Sequence, residues 1–349
     1  MNAIDHQHYM QLALTLAENG RCTVSPNPMV GCVIVKEGTI VGTGFHQRAG
    51  EPHAERLALD EAGQQAQGAT AYVTLEPCCH QGRTPPCTEV LIQAGIQKVY
   101  VATVDPNPLV GGKGILALQA AGIAVDIGLC ETQAVQLNEI FFHYIKNRTP
   151  FVFAKWAMSL DGKTITHAQD TRDISGSAAQ HYTHHLRQQV DAIIIGANTA
   201  RYDNPMLTVR FSQEEHVKQP MRIIITTRPL PLTLTLFSES LPGKTMIVTS
   251  QSFDVPPFVE LVVLSADDRG RIDIKQLLLM LGERGVTSIL LEGGQNLRDQ
   301  FIKENSIQKS HVYVAPYLIG DAMKKQALQL HLSGRLESDF HFTATREGM

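Results

Sequence analysis

The sequence predicts two α/β domains in tandem, residues 1–146 and 150–349. Three observations carry that prediction. Strand-like runs of Val, Ile and Leu alternate with segments of helical period, as in sheets layered with helices. The alternation pauses at Asn147-Arg148-Thr149-Pro150 and restarts at Phe151. All six cysteines fall at or before Cys130, so the two halves also differ in composition.

In the first half, residues 5–19 read as a helix. Asp5 can cap it, Tyr9, Leu12, Ala13, Leu16 and Ala17 recur at helical spacing, and Gly20 ends it. Segments 30–36 and 39–46 read as strands joined at Glu37-Gly38. A helix is expected to open on Pro52, because proline suits a first helical position. Strands at 69–77, 98–105 and 124–129 then alternate with helices at 87–95 and 114–122, implying a buried sheet with helices on both faces. In the second half, strands are expected at 151–159, 191–196, 221–227, 244–250, 260–265, 287–292 and 311–316, and helices at 177–190, 272–285 and 296–304. The final segment, 334–349, is expected to close the last sheet as a strand or to fray.

The 349 residues are 43% hydrophobic and 18% charged, with a formal charge of −4. Ample length for two cores and scattered Gly and Pro exclude a fibrous or largely disordered chain. No apolar run is long enough to span a bilayer, and the N-terminal stretch has no basic residue before Arg21, unlike a signal peptide. The acidic balance argues against long nucleic acids as partners. A cytoplasmic enzyme without a disulfide framework is expected.

The cysteines point to chemistry. His53-Ala54-Glu55 opens a helix, Pro77-Cys78 follows a strand, and Cys87 starts the next helix. One His and two Cys supply three ligands for zinc and leave a fourth position open, the catalytic pattern. Cysteines at helix starts favour the thiolate, and zinc lowers the pKa of a bound water to roughly 7. Glu55, two residues from His53, suits proton transfer from that water to leaving ammonia. H-x-E followed by P-C-x-x-C marks zinc deaminases. Here the spacing is P-C-x8-C, with Cys79 as a competitor; Cys78 is preferred because it directly follows Pro77. Cys22, Cys32 and Cys130 are read as core residues.

The segments SPNPMVGCVIV, GFHQRAGEPHAE, TLEPCCHQGRTPPCTE, VDPNPLVGGKG and KWAMSLDGKT together resemble the bifunctional riboflavin-biosynthesis deaminase/reductase family, in which the longer P-C-x8-C loop is the normal form. The resemblance implies a cytidine-deaminase-like three-layer domain followed by a dihydrofolate-reductase-like α/β domain. It implies one zinc ion on His53, Cys78 and Cys87, Glu55 as catalytic residue, and a pyrimidinone ribosyl phosphate as substrate. Asn27, His46, Asp105 and Asn107 are expected to line the deaminase pocket. For Asn27 and Asn107 the alternative is turn formation beside proline. Lys113 stays unassigned between a phosphate contact and a solvated cation. A homo-oligomer, dimer or tetramer, is also expected.

Without the resemblance the second half offers little. It has no G-x-G-x-x-G after its first strand, only LLEGGQNLRDQ, a strand, a Gly293-Gly294 turn and a helix whose N-terminus suits a phosphate. MSLDGKT, DNPMLTVR, LEGG and VAPYLIG resemble the reductase half of the same family, which takes NADPH. That places cofactor contacts at Ala157, Asp173, Thr199, Asp203, Thr227 and Gly294, and substrate contacts at Thr171, Arg187, Leu207, Arg210 and Glu292. Asp173 stands where an aromatic is expected, a departure from the pattern. Arg228 is added as a candidate for the NADPH 2′-phosphate, since a guanidinium pairs well with phosphate.

Overall fold

The computed structural model describes residues 3–79, 86–108, 110–164, 174–211, 217–320, 326–336 and 339–346. The chain divides into two units, Met1–Phe151 with Leu278–Thr287, and Val152–Leu277 with Ser288–Met349.

The first unit runs α1 (Ala3–Glu18), β1 (Gly31–Lys36), β2 (Thr39–Phe45), α2 (Ala54–Ala62), β3 (Thr70–Val73), α3 (Cys87–Gln93), β4 (Lys98–Val101), α4 (Lys113–Ala120), β5 (Ala124–Ile127), α5 (Glu131–Leu137) and α6 (Glu139–Asn147). The sheet order is β2-β1-β3-β4-β5, with β1 antiparallel to both neighbours and β3, β4 and β5 parallel. Glu37 and Gly38 both take positive φ, 51° and 83°, the handedness a tight hairpin turn needs. Period-two alternation divides the strands between two cores. Cys32, Ile34, Val73 and Val101 face α2, α3 and α4, while Val33, Val35, Tyr72 and Tyr100 face α1 and α5. That makes three layers.

Two glycines of β2 decide where α2 lies. A Cβ on Gly42 would sit 2.1 Å from the Ala58 carbonyl oxygen, and one on Gly44 2.4 Å from that of Ala54. The helix therefore rests directly on strand backbone, which sets the position of His53 and Glu55 at its start. The helix begins at Ala54 rather than on Pro52, as expected from the sequence. His53 is its extended N-cap (φ −76°, ψ 163°), and that conformation takes its side chain out of the helical ladder. Helices α5 and α6 were not anticipated. They are short, seven and nine residues, and share Asn138 as a joint, so neither shows a long periodic run.

The second unit contains β6 (Phe151–Ser159, from Val152 on), α7 (Ser177–Gln188), β7 (Ala192–Gly196), α8 (Ala197–Asp203), β8 (Met221–Ile225), β9 (Thr245–Thr249), β10 (Val259–Val263), the start of α9 (Ile274–Glu283), β11 (Ser288–Leu291), α10 (Gln295–Lys303) and β12 (Lys309–Ala315). The strands order β10-β9-β8-β7-β11-β6-β12, and β12–β6, β11–β7, β7–β8, β8–β9 and β9–β10 are parallel. Ile193, Ile194, Ile195, Ile223 and Ile224 are fully buried, as in a sheet covered on both faces. The chain end does not extend this sheet. β13 (Tyr317–Leu318), β14 (Gln326–Leu336) and β15 (Asp339–Arg346) form a separate antiparallel sheet. Among the described residues no helix is long and apolar enough to cross a membrane.

Candidate active sites

In the first unit, His53, Cys78 and Cys87 bring one ligand atom each to within 4.8 Å of one another. His53 Nδ1 lies 3.2 Å from Cys87 Sγ and 3.6 Å from Cys78 Sγ. Ligands on a tetrahedral zinc, with bonds near 2.0–2.3 Å, stand about 3.3–3.8 Å apart, so this trio fits the ion. Their protonation agrees. Hydrogen bonding from the Cys87 thiol, then from His53 and the Cys87 backbone N–H, holds the Cys78 thiol down to about 4 against its burial. The Cys87 thiol is pushed up because it shares a proton with Cys78 and is buried. A dication is the group that lets both be thiolates together.

Glu55 completes the site. It is 3% exposed, and its Oε2 is buried without a hydrogen-bond partner among the described residues. Burial, then the negative charge of Cys78, raises its carboxyl above the ordinary 4.5. A buried carboxylate oxygen left unpaired is costly in a folded protein, so its place beside a metal-binding trio points to proton transfer. Asn27 Nδ2 and His46 Nε2 are 3.0 Å apart, and the His46 ring packs edge-on to His53 with centroids 5.3 Å apart. His46 Nδ1 faces the Pro52 carbonyl at 3.2 Å, and burial lowers its pKa.

The second unit gathers polar groups beyond the carboxyl ends of the parallel neighbours β7 and β11, the end of the strands at which open α/β sheets bind ligands. Arg187 of α7 grips Glu292 bidentately, Nε to Oε1 at 2.7 Å and Nη2 to Oε2 at 2.8 Å, and donates to the Thr208 carbonyl at 3.2 Å. Leu207 beside Thr208 is buried with φ +52°. Gly294 is the N-cap of α10, and a Cβ there would lie 3.6 Å from Thr199 Oγ1. Loop and helix start thus form a backbone cradle opposite a hydroxyl.

Sequence comparison agrees with both halves. Residues 3–103 match the cytidine and deoxycytidylate deaminase zinc-binding region, and residues 150–342 match the RibD C-terminal domain. The chain is 42% identical over 324 residues to the riboflavin biosynthesis protein RibD of Aquifex aeolicus, covering 91% of this chain and 88% of that one. To RibD of Escherichia coli it is 41% identical over 326 residues, covering 90% and 88%. Among solved structures, Acinetobacter baumannii RibD superposes with a TM-score of 0.83 at 37% identity, covering 99% of both chains. A Thermotoga maritima protein described as a diaminohydroxyphosphoribosylaminopyrimidine deaminase/5-amino-6-(5-phosphoribosylamino)uracil reductase gives 0.78 at 32% identity, with 98% of both covered.

The chain belongs to the RibD family.

As a RibD-family protein it combines a cytidine-deaminase-like first domain with a RibD reductase domain. The long P-C-x8-C spacing is closed by a backbone bond, Cys87 N–H to Cys78 Sγ at 3.3 Å, and Cys79 is outside the metal-binding trio. Of the residues the family resemblance implies, His53, Glu55, Cys78, Cys87, Asn27 and His46 come together, as do Arg187, Leu207 and Glu292, and Thr199 and Gly294. Asp105 and Asn107 share one loop, in which the Asp105 carboxylate accepts the Asn107 N–H at 2.8 Å. Ala157 lies on β6 opposite Tyr313. Asp203 ends α8, and Thr227 and Arg228 are exposed just beyond β8. Thr171 and Asp173 lie outside the described residues. Cys32 is in the core, whereas Cys22 and Cys130 are half-buried.

Several organising residues were missed in the sequence. The buried Glu76 carboxylate accepts four backbone N–H groups, from Asp105 and Gly112 on Oε2 and from Gly114 and Ile115 on Oε1. It thereby shapes the loop carrying Asp105 and Asn107. Asn138, buried between α5 and α6, accepts the Met29 N–H and donates to the Met29 carbonyl, both at 2.8 Å, and so holds the loop of Asn27. In the second unit Asp161 accepts the Ser159 hydroxyl at 2.5 Å and the N–H groups of Ile319 and Gly320 at 3.1 and 2.8 Å. Those bonds, the Ser159 hydroxyl first, hold its carboxyl down to about 2. A carboxylate two residues before a ligand cysteine, as in Leu75-Glu76-Pro77-Cys78, is a readable signal; Asn138 has none.

Proposed function

We propose that this RibD-family chain deaminates 2,5-diamino-6-ribosylamino-4(3H)-pyrimidinone 5′-phosphate in residues 1–146 and reduces the product's ribosyl side chain to ribityl with NADPH in residues 150–349. The observation that carries the first step is the orphaned Oε2 of Glu55 beside His53, Cys78 and Cys87. Zinc on these three residues supplies Lewis acidity, which brings the pKa of a bound water to about 7. Glu55 Oε2 takes a proton from the attacking water and passes it to the amino group leaving the ring carbon, so water enters and ammonia departs. Asn27, His46, Asp105 and Asn107 offer the donors and acceptors that a polar heterocycle needs. His46, lowered by burial, stays neutral and so keeps an acceptor nitrogen for the Asn27 amide.

For the second step NADPH supplies the hydride. Gly294 at the start of α10 and Thr199 bind its phosphates, with Ala157, Asp173, Asp203 and Thr227 as further contacts and Arg228 on the 2′-phosphate. Thr171, Arg187, Leu207, Arg210 and Glu292 orient the substrate; Arg210 meets its phosphate and Glu292 its sugar hydroxyls. A cytoplasmic homo-oligomer, dimer or tetramer, completes the proposal. Mass spectrometry of products from the zinc-replete protein tests it. Exchange of an amino group for oxygen without NADPH, then gain of two hydrogens with it, is the expected pair of results. Exchange alone would remove the reductase half of the proposal, and no change in either condition would remove both.

A further inference from the structure

We infer that residues 278–287 belong to the deaminase's substrate site, with Thr287 as a positioning residue that holds the loop of Asn27. This deepens the reading of Asn27 given above and rests on it. The segment lies far along the chain from the pause at 147–150, yet it is part of the first unit. Tyr144 of α6 donates its hydroxyl to the Gly282 carbonyl at 2.9 Å, and a Cβ on Gly282 would stand 2.1 Å from the Arg148 carbonyl oxygen. The second half of α9 therefore rests directly on the end of α6. At the close of the segment the Thr287 carbonyl accepts the Phe151 N–H at 2.8 Å. Thr287 is buried, and its Oγ1 meets Ser25 Oγ at 3.3 Å.

The loop needs support from outside itself. Pro26 and Pro28 carry no N–H, so between Val24 and Val30 only Ser25, Asn27 and Met29 can donate from the backbone. The Asn27 N–H turns back to the Val24 carbonyl at 2.8 Å. Met29, two residues after Asn27, is gripped at both backbone groups by Asn138. Ser25, two residues before it, meets Thr287. Both anchors lead to the one segment, because Asn138 is the N-cap of α6 and α6 is tied through Tyr144 to Gly282. Between the anchors the Asn27 amide faces His46 Nε2 at 3.0 Å. An amide fixed before the ligand arrives loses less freedom on binding. The anchors therefore act on substrate affinity, whereas proton transfer belongs to Glu55.

Thr287→Val removes the hydroxyl and keeps the shape, and Thr287→Ser keeps the hydroxyl. In the full-length, zinc-replete protein, KM for deamination is expected to rise about threefold to tenfold in Thr287→Val. Zinc content and kcat should stay unchanged, and Thr287→Ser should restore KM. Ser25→Ala is expected to raise KM by the same factor, and the double variant to raise it no further. A residue that served folding alone would lower the unfolding midpoint and leave KM where it was, and that result would overturn the inference. Additive effects of the two substitutions would do the same. If Thr287→Val fails to fold, Ser25→Ala still decides, since Ser25 lies half-buried in a loop and an unchanged KM there removes the role of Thr287. Asn27→Ala separates this inference from the reading beneath it. It is expected to raise KM by itself and to abolish any further effect of Thr287→Val. Wild-type KM in Asn27→Ala would sink the Asn27 reading and this inference with it. A raised KM in Asn27→Ala, with none in Thr287→Val or Ser25→Ala, would sink the positioning role alone.

Discussion

In the first unit a buried carboxylate oxygen, Glu55 Oε2, has no hydrogen-bond partner among the described residues and lies beside three metal-binding side chains. In the second, the half-buried carboxylate of Glu292, just beyond β11, has both oxygens engaged by Arg187. A polar group left unsatisfied destabilises the fold and is free to react, whereas a satisfied one contributes shape and orientation. The deaminase unit must move protons with its own side chains. A reductase unit can leave the reacting atoms to a cofactor and use side chains to hold a geometry.

Glu55→Gln should break this contrast most sharply. Deamination is expected to fall by about 10²–10⁴-fold, while zinc content and NADPH-dependent reduction stay at wild-type levels. Ammonia release, metal analysis and reduction of supplied deaminated substrate read the three quantities. The wild type should also lose kcat/KM for deamination as pH falls through a value above 4.5, because burial and Cys78 raise the Glu55 pKa and only the carboxylate accepts a proton. That acidic limb should be absent from the variant's residual activity.

Arg187→Ala tests the opposite case. It strands Glu292 as a buried, unpaired charge, at a cost of roughly 3–5 kcal/mol. A lower unfolding midpoint and lost reduction are expected, with ammonia release unchanged. If stability held and only KM rose, the pair would serve the ligand without clamping the fold.

Glu76→Gln should give the smallest effect and sharpen the comparison within the first unit. One acceptor oxygen becomes an amide that faces backbone N–H groups, so the loop of Asp105 and Asn107 loosens. KM for deamination is expected to rise roughly fivefold to tenfold, with zinc retained and kcat little changed. A fall in kcat at constant KM would instead tie Glu76 to the metal's surroundings.

Much of the deaminase site was legible because His, Glu and Cys at strand-to-helix junctions are rare in combination and chemically specific. Cys78 stood out from Cys79 by its place after Pro77, and the geometry puts it with His53 and Cys87. Residues that serve backbone were not legible. Glu76 and Asn138 act on N–H and carbonyl groups 29 to 39 and 109 residues away; the place of Glu76 just before Cys78 marks it as a residue to watch but not which groups it serves, and nothing near Asn138 records its role. The same holds for Asp161, which reaches across 158 and 159 residues to Ile319 and Gly320.

By itself, then, the sequence determined the α/β alternation, the pause near 147–150, the metal-binding trio and the glutamate beside it, because each is written in local period or in residue chemistry. Tertiary structure decided the start of α2 at Ala54, the separate C-terminal sheet and the engagement of Glu292 by Arg187. Those features depend on which polar atoms meet across the fold, and hydrogen-bond satisfaction is a property of neighbours in space, not of neighbours along the chain.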